Sequence, residues 1–367
     1  MAAGLPLTGL TVVAIEQAVA APFASSRLAD AGAHVIKIER PEGDFARGYD
    51  DVAKGQSSYF VWLNRGKETR VADLSNPEGK AMLADLLANA DVLLQNLKPG
   101  ALARLGFDAE MLARDYPRLI ACSISGYGDS GPMADRKAYD LLIQAESGLC
   151  SITGGPEQAA RVGVSVVDIA TGATAHAAIL EALIQRGITG RGCAISVSMF
   201  DVMADWLTVP LLNHEGGKPP KRVGLAHPSI APYGAFDTGD GQKILISIQS
   251  DREWVNLCEY FLDDAALGTA SDLATNVMRV QNRDKTDALV AAAFAKRTAA
   301  DALTALKRAD VAFASVNDMA GLSRHPHLRR ISVDTPNGTV AFPAPAPVIT
   351  GQNRIYGAVP ALPEQKV

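Results

Sequence analysis

One carboxylate stands apart from the other charged residues of this chain. Asp168 is the only acidic residue between Glu157 and Glu181, and it closes the apolar run VGVSVVD directly before a helix-like stretch. An aspartate in that position is a common helix N-cap, whose side chain accepts hydrogen bonds from the first backbone N–H groups. The same helix end stabilises an anion, so it would also keep a carboxylate ionised for attack on an activated acyl carbon. Position alone leaves both interpretations open.

The segments before Asp168 alternate between strand-like and helix-like patterns over the first 135 residues. Apolar strand-like runs lie at 10–16, 34–41, 91–97 and 118–128. Asn76 and Pro77 have the residue types of a helix N-cap and a first helical residue. Such alternation is typical of βαβ units. The sequence therefore predicts an α/β fold with a largely parallel sheet.

A cluster of glycine, proline and lysine residues at 215–222 predicts a domain boundary. After it, residues 233–249 have the pattern of a β-hairpin around an Asp-Gly turn, and helical segments follow. We therefore expect a large domain over residues 1–215 and a smaller α+β domain over 223–318.

Composition excludes several classes of protein. Hydrophobic residues make up 48% of the 367 residues and the net charge is −5, so a sizeable core is expected and a nucleic-acid partner is not. No signal peptide is evident, and no run approaches the ~18 apolar residues of a membrane span, so we expect a cytoplasmic protein without a membrane partner. The cysteines and histidines lack the spacing of a metal site, so no metal is expected.

Basic residues recur near the ends of the predicted early strands. They are Lys37, Arg40, Lys67, Arg70, Lys98 and Arg104. Because ligands of parallel sheets bind beyond the carboxyl ends of the strands, these residues could surround a phosphorylated nucleotide, although a solvated surface is the alternative. A dinucleotide is excluded because no glycine lies between Gly9 and Gly32, where a G-x-G-x-x-G turn would be required.

Eight segments, taken in order, resemble the family III CoA-transferases, which also include the alpha-methylacyl-CoA racemases and carnitine CoA-transferases. They are LTVVAIEQAVAAPFASSRLADAGAHVIKIERPEGD, LNRGKE, ADLSNPEGK, NLKPGALARLGFD, SISGYGDSGP, AYDLLIQAESGL, VDIATGATAHAAILEALIQR and AHPSIAPYGAFDTGDG. Two of them, AHPSIAPYGAF and AYDLLIQAESGL, look most like members that act on small dicarboxylic acids.

The resemblance implies a fold and an assembly. A large Rossmann-like domain would be built from both ends of the chain, with residues 319–367 returning to it, and the smaller α+β domain would lie between. Two chains would form an interlocked homodimer. Acyl-CoA would be a substrate, with no permanently bound cofactor.

The resemblance also implies a reaction. The carboxylate of Asp168 would attack an acyl-CoA thioester to give an anhydride, and the released CoA thiolate would convert it to an aspartyl-CoA thioester. An incoming acid would then take the CoA. Succinyl-CoA would be the usual donor and a small carboxylic or dicarboxylic acid the acceptor.

Further site residues follow from matching positions. For coenzyme A these are Lys37, Arg40, Leu74, Lys98, Arg104, Tyr127 and Tyr139. Arg47, His227 and Gln249 are candidates for holding the acid substrate. The backbone N–H groups of Gln249 and Ser250 would stabilise an oxyanion.

Two other functions stay open. A 2-methylacyl-CoA racemase needs acid and base groups on both sides of a carbon, but its histidine falls at Tyr139 here and its glutamate near Ser250. A tyrosine with a pKa near 10 and a serine are poor proton carriers at neutral pH. In a non-catalytic CoA-binding protein, Asp168 would only cap its helix.

Overall fold

The computed structural model describes residues 4–363. They form two compact units. The larger unit contains the residues up to 149, 161–212 and those from 329 onward, and the smaller unit contains 150–160 and 213–328. Residues 150–160 belong to the smaller unit because Arg222 donates hydrogen bonds to backbone carbonyl oxygens of this segment, including that of Gly155 at 3.0 Å.

A six-stranded sheet organises the larger unit. Its strands are β1 (Thr11–Ile15), β2 (His34–Glu39), β3 (Lys67–Val71), β4 (Val92–Gln95), β5 (Ile120–Ser125) and β6 (Ala194–Ser198). All neighbours are parallel, in the order β3-β2-β1-β4-β5-β6. The prediction of a parallel α/β sheet is confirmed. In this doubly wound order the connections change direction between β1 and β4, and ligands bind in the crevice outside the carboxyl ends there.

Helices are packed so that both faces of the sheet are buried. Numbered along the chain up to residue 215, the helices are α1 (Ala20–Asp30), α2 (Ser58–Asn64), α3 (Pro77–Leu87), α4 (Ala101–Arg104), α5 (Ala109–Asp115), α6 (Asp140–Glu146), α7 (Leu149–Ile152), α8 (Val166–Thr189), α9 (Met199–Trp206) and α10 (Thr208–Glu215). Residues 150–152 of α7 and 213–215 of α10 belong to the smaller unit. Along β1, Val12 and Val13 belong to different apolar clusters, as alternate residues of a strand covered on both faces must. The predicted cap is confirmed, since Asn76 accepts a hydrogen bond from Gly79 N at 2.8 Å and Pro77 is the first residue of α3.

The smaller unit has an antiparallel sheet. Its strands are β7 (Tyr233–Asp237), β8 (Lys243–Ser247) and β9 (Ala312–Ser315), in that order. Its helices are α11 (Asp251–Tyr260), α12 (Asn276–Gln281), α13 (Arg283–Ala295), α14 (Ala299–Arg308) and α15 (Met319–Ser323). The predicted hairpin is confirmed, since β7 and β8 pair across Asp240 and Gly241. Trp254, Phe261 and Phe294 are fully buried in its core.

The residues from 329 onward pack on the larger unit's helix α2. They form a hairpin of β10 (Arg330–Val333) and β11 (Val340–Pro343), followed by a segment without regular secondary structure. Val333 and Val359 share an apolar cluster with Phe60 of α2, and Ala358 O accepts a hydrogen bond from Gly66 N at 2.8 Å. The C-terminal segment is thus part of the larger unit's core.

Helix α8 carries Asp168 and lies in close contact with α1. A Cβ atom at Gly172 would overlap the backbone oxygen of Ala20 and the side chain of Phe23, so only glycine permits this helix spacing. Asp168 lies one turn before Gly172 on the same helix. The close contact therefore places Asp168 beside the N-terminus of α1 and the end of β1.

Helix α8 is also the one described helix that is long and apolar enough to cross a membrane, with a mean hydropathy of 1.3 over its most apolar window. The expectation concerned an uninterrupted apolar run, which this helix is not, since His176, Glu181 and Arg186 lie within it. Its contacts with α1, α9 and the sheet are those of a core helix, and core helices of soluble proteins meet the same criteria.

We expect Gly172→Ala to destabilise the protein by about 1–3 kcal/mol, because the added methyl group would force α8 away from Ala20 and Phe23. Urea unfolding followed by circular dichroism measures this change. Gly187→Ala is the matched control on the same helix, since nothing lies within 4 Å of a Cβ there. It should stabilise the helix by up to about 1 kcal/mol. Equal destabilisation by both changes would contradict the role assigned to Gly172.

Candidate active site

Two cavities open at the carboxyl ends of β1 and β4, where the sheet order reverses. The larger has a volume of about 640 Å³ and its lining includes Asp168. The smaller has a volume of about 280 Å³. Gln17, Leu97 and Lys98 line both, so the two cavities adjoin. Both lie entirely within the larger unit.

Asn96 fixes the two strand ends that form the base of the larger cavity. Its Oδ1 accepts a hydrogen bond from Gln17 N at 3.0 Å, and its Nδ2 donates to Gln17 O at 2.8 Å. The amide side chain thus ties the chain after β4 to the chain after β1. Gln17 and Ala18 are held at the cavity wall by this link.

A buried ion-pair cluster joins Glu16, the residue after β1, to Lys37 within β2 and to Lys67, the first residue of β3. Lys37 Nζ lies 2.8 Å from Asp44 and 3.5 Å from Glu16, and Lys67 Nζ lies 2.6 Å from Glu16. Burial opposes the charge of Lys37, but Glu16 and Asp44 outweigh burial and raise its pKa. Burial lowers the pKa of Lys67 to about 8, with Glu16 acting in the opposite direction. Each charge is stable here because it has a partner.

The position of Lys37 corrects one expectation. Its side chain has no exposed surface and its ammonium is bonded to Asp44 and to the backbone oxygen of Glu16. Lys37 therefore stabilises the base of the crevice and does not present a charge to coenzyme A.

Asp168 is not the cap of its helix, which corrects the N-cap interpretation. Helix α8 begins at Val166, two residues earlier, and the acceptor at its N-terminus is Asp140. Asp140 Oδ1 accepts hydrogen bonds from Val167 N at 2.8 Å and from Asp168 N at 3.2 Å. The carboxylate of Asp168 is left free of these donors and lines the larger cavity.

Gln144 holds the second oxygen of Asp140. Its Nε2 donates to Asp140 Oδ2 at 2.6 Å, and its Oε1 accepts from Val162 N at 2.9 Å. Gln144 is fully buried. Helix α6 thus holds the loop before α8 at Val162 and the first turn of α8 at Val167 and Asp168.

Burial, and then the negative charge of Asp140, raise the pKa of Asp168 from the ordinary 3.8 to about 7. We expected the helix N-terminus to keep this carboxylate ionised, and that expectation was wrong. The backbone donors that would have stabilised the Asp168 anion are bonded to Asp140 instead. At neutral pH the carboxylate is therefore weakly solvated, and it ionises in the range useful for a nucleophile or a general base.

Close packing between Gly126 and the Ala138 side chain positions Tyr139 and Asp140. A Cβ atom at Gly126, in the turn after β5, would overlap the Cβ of Ala138. The turn can therefore lie directly against the residues that precede α6. Tyr139 and Asp140 both reach the larger cavity as a result.

Aromatic side chains form one wall of the larger cavity. The rings of Tyr49 and Tyr59 meet edge to face with centroids 5.6 Å apart, and Phe45 lies 5.7 Å from Tyr49. Burial, and then nearby charges that include Asp168, raise the pKa of Tyr49 to about 12. The Tyr49 phenol therefore keeps its proton at neutral pH and can act as a hydrogen-bond donor.

Some of the residues assigned to coenzyme A by resemblance come together. Arg40, Lys98 and Arg104 line the smaller cavity, and Tyr139 lines the larger one. Leu74 and Tyr127 line neither.

Leu74 and Tyr127 pack into the protein instead. Leu74 is partly buried against the apolar cluster that contains Leu83 and Leu87. The ring of Tyr127 packs on Phe200 with centroids 5.9 Å apart. Both have packing roles in this structure.

The residues assigned to the acid substrate are engaged elsewhere. Arg47 forms two hydrogen bonds to Glu39, at 2.7 and 2.8 Å, and lies 3.7 Å over the ring of Phe60, so its guanidinium is not free. His227 and Gln249 belong to the smaller unit, where the His227 ring stacks on Tyr233 with centroids 5.2 Å apart.

The predicted oxyanion donors are also occupied. Both Gln249 N and Ser250 N donate to Glu253 Oε2, at 2.6 and 2.9 Å, in the capping box of α11. These N–H groups therefore serve a helix N-terminus. Within residues 4–363, no group of three or more His, Cys, Asp or Glu residues could hold a metal ion.

Comparison with known proteins identifies the family. The profile of CoA-transferase family III matches residues 7–365. The chain belongs to this family. It is 36% identical to the succinate–glutarate CoA-transferase of Agrobacterium fabrum, over 95% of this chain and 90% of that protein. It is also 36% identical to the acetyl-CoA:oxalate CoA-transferase of Acetobacter aceti, over 94% of this chain and 90% of that protein.

A solved structure supports the same assignment. The crystal structure of a CAIB/BAIF family protein from Brucella suis superposes with a TM-score of 0.82 at 35% identity, covering 98% of this chain and 97% of that one. The family resemblance found in the sequence is confirmed, and the protein is a family III CoA-transferase.

The amino-acid sequence did not single out several residues that line or support the site. Tyr49 and Tyr59 lie far from Asp168 in the chain, and only the fold brings them to the cavity. Gln144 could have been noticed, since it follows Asp140 by four residues on a helix, a spacing at which side chains meet.

We expect Asp140→Asn to lower the pH at which CoA transfer is lost on acidification, by up to roughly one unit. The change removes the negative charge that raises the pKa of Asp168, while the amide oxygen can still accept from Val167 N. The measurement is the acid limb of kcat/KM against pH, since a carboxylate nucleophile loses activity when protonated. Glu181→Gln, exposed on α8 and outside the lining of the cavity, is the control and should leave the limb in place. The same acid limb in the wild type, in Asp140→Asn and in the control would show that Asp140 does not raise the pKa of Asp168.

We expect Asp168→Asn to raise the melting temperature at pH 8 but not at pH 3. The raised pKa means that the folded state holds the Asp168 proton more tightly than the unfolded state. This contribution to stability is present below pH 3.8 and is lost as the pH rises through about 7, whereas asparagine does not ionise.

The matched control for this stability experiment is Asp201→Asn. Asp201 occupies the equivalent third position of α9 but is exposed. It should give no gain at pH 8, because an exposed anion in a first helical turn is favourable. A pH-independent effect of Asp168→Asn would show that its carboxyl pKa is not raised.

Proposed function

We propose that the protein transfers CoA from an acyl-CoA donor, with succinyl-CoA as the first candidate, to a small dicarboxylic acid through covalent intermediates on Asp168. One observation carries the proposal: a half-buried carboxylate, with a pKa raised to about 7, lines a cavity that adjoins a crevice with three basic side chains. Relatives named for succinate, glutarate and oxalate support carboxylic acids as the substrates.

In the first half of the reaction, an oxygen of the Asp168 carboxylate attacks the thioester carbonyl of the donor. The carbon–sulfur bond breaks, leaving a mixed anhydride and CoA thiolate. The thiolate then attacks the Asp168 carbonyl of the anhydride. The donor acid leaves with one oxygen from Asp168, and an aspartyl-CoA thioester remains.

In the second half, the acceptor carboxylate attacks the aspartyl-CoA thioester, giving a new anhydride and CoA thiolate. The thiolate attacks the acceptor's carbonyl, which forms the new acyl-CoA and returns Asp168 as a carboxylate. No proton is gained or lost overall. Both intermediates hydrolyse in water, so water must be excluded from Asp168 during the reaction. Phe45 and Tyr49 of the aromatic wall are 40% and 46% exposed, so the bound acyl-CoA would complete this exclusion by covering them.

The smaller cavity suits the nucleotide end of coenzyme A. Arg40, Lys98 and Arg104 line it and can pair with phosphate oxygens. Because Lys98 lines both cavities, a ligand held there would extend toward Asp168. We therefore assign these three side chains to CoA binding.

We also propose that the chain acts as a homodimer in the cytoplasm, without nucleic-acid or membrane partners. Trp206, Val209 and Leu212, on α9 and α10, are 59%, 67% and 60% exposed. Adjacent exposed apolar side chains of this size are typical of protein interfaces. The interlocked arrangement is the form that we expect for this dimer.

A second function is favoured by one observation. A carboxyl pKa of about 7 for Asp168 suits a general base, which a 2-methylacyl-CoA racemase would require. Its second proton carrier would have to be Tyr139, the tyrosine at the position of the racemase histidine. We rank this function below CoA transfer because the relatives are named as CoA-transferases.

We expect the wild type to form new acyl-CoA from succinyl-CoA and glutarate or oxalate, as detected by mass spectrometry. Asp168→Asn should lower the rate by about a thousandfold or more, because the nucleophile is lost. With oxygen-18 in the acceptor carboxylate, one heavy oxygen should appear in the peptide that contains Asp168 after a single turnover. Asp201→Asn is the matched control and should retain activity.

Two results would contradict this proposal. Full activity in Asp168→Asn, or heavy oxygen absent from its wild-type peptide during turnover, would exclude the covalent route. Exchange of the α proton of a 2-methylacyl-CoA with deuterium, without any acceptor acid, would instead identify a racemase.

A further inference from the structure

The larger cavity has four basic side chains, and the proposed transfer reaction gives a role only to Lys98 among them. Lys98, Arg136, Lys137 and Arg161 line it. Arg136 is paired with Glu146 at 3.3 Å, and Lys98 also lines the smaller cavity. Arg161 is exposed, and among residues 4–363 no ion pair or hydrogen bond engages its guanidinium. This cation is therefore available to a ligand in the larger cavity.

The backbone beside Arg161 is fixed relative to Asp168. Val162 N donates to the buried Oε1 of Gln144, and Gln144 holds Asp140, whose other oxygen holds the backbone of Asp168. The connection passes through two side chains with no freedom to turn, because both ends of each are bonded. Arg161 thus extends from a fixed point on the rim of the cavity that holds the nucleophile.

A dicarboxylic acid brings a second charge into this cavity. One carboxylate must reach Asp168, and the other is repelled by Asp140 and Asp168 unless a cation pairs with it. A guanidinium presents two parallel N–H donors that match a carboxylate, whereas an ammonium acts as a point charge. Arg161 is the arginine of the lining that is not already paired.

We propose that Arg161 binds the non-reacting carboxylate of the acid substrate and so selects dicarboxylic over monocarboxylic acids. This inference rests on the proposed CoA transfer. It replaces Arg47, whose guanidinium is bonded to Glu39, as the residue that recognises the second carboxylate.

The test compares glutarate with valerate, which has the same chain length but one carboxylate. Acceptor kcat/KM is measured at saturating succinyl-CoA, as acyl-CoA formed. Arg161→Gln should lower kcat/KM for glutarate by about 10- to 100-fold, the effect of losing one charge-assisted pairing, and leave valerate unchanged. Arg161→Lys should restore part of the glutarate activity.

Matched variants separate this role from a general effect of charge. Arg114→Gln removes an exposed arginine of α5, paired with Asp115 at 2.7 Å, and should change neither acceptor. Lys137→Met removes the neighbouring cation of the cavity and should keep the preference for glutarate.

The outcomes distinguish this inference from the proposed function. A wild type that forms no acyl-CoA with any acid contradicts CoA transfer itself. An active wild type whose Arg161→Gln variant loses glutarate and valerate activity equally overturns the assignment of Arg161. Loss of the glutarate preference in Lys137→Met but not in Arg161→Gln also overturns it.

Discussion

The hydrogen bonds from Val167 N and Asp168 N to Asp140 determine the chemistry of this site. A helix N-terminus can stabilise one nearby anion well, and here its donors are bonded to a neighbouring carboxylate. Asp168 is consequently held beside a negative charge, in a partly buried position, without the donors of its own helix. Its raised pKa follows from that arrangement. The acceptor at the start of the helix and the carboxylate that lines the cavity are therefore two different residues, Asp140 and Asp168.

The base of the crevice depends on a different kind of interaction. Four buried charges on or next to three adjacent strands are paired with one another: Glu16, Lys37, Asp44 and Lys67. Burying a charge without a partner would cost several kcal/mol, whereas the paired cluster keeps every charge bonded. The cluster ties Glu16, directly after β1, to Lys37 of β2 and to Lys67, the first residue of β3, and Asn96 fixes the position of Gln17. The side chains that line the two cavities then extend from a rigid edge of the sheet.

Local patterns predicted the parts of the fold that depend on local physics. The strands predicted at 10–16, 34–41, 91–97 and 118–128, the cap at Asn76 and the hairpin at Asp240 follow from periodicity and turn chemistry, and the structure confirms them. The pattern did not predict the strand β3, Lys67–Val71. The predictions for Lys37 and Arg47 were wrong because a basic residue near a strand end can pair with an acid or with a ligand. In this structure the partners are acids: Lys37 pairs with Asp44 and Glu16, and Arg47 pairs with Glu39. The sequence pattern does not reveal these contacts.

The prediction for Asp168 was limited by the precision with which a helix start can be predicted from sequence. Its place before a helical pattern correctly indicated a helix start, but the bounds of a helix are predicted only to within a few residues. The shift of the start to Val166 turned an expected cap into a side chain that faces the cavity. The acceptor that replaced it, Asp140, lies 28 residues earlier and is brought there by packing at Gly126.

The bond between Gln144 and Val162 uses a backbone N–H, which every residue except proline possesses. This hydrogen bond therefore does not depend on which side chain is present at position 161. Position 161 can change its chemical character in evolution while the anchor of Asp168 stays as it is. Under the role proposed for Arg161, a substitution there alters the choice of acid and leaves the backbone anchor of Asp168 intact.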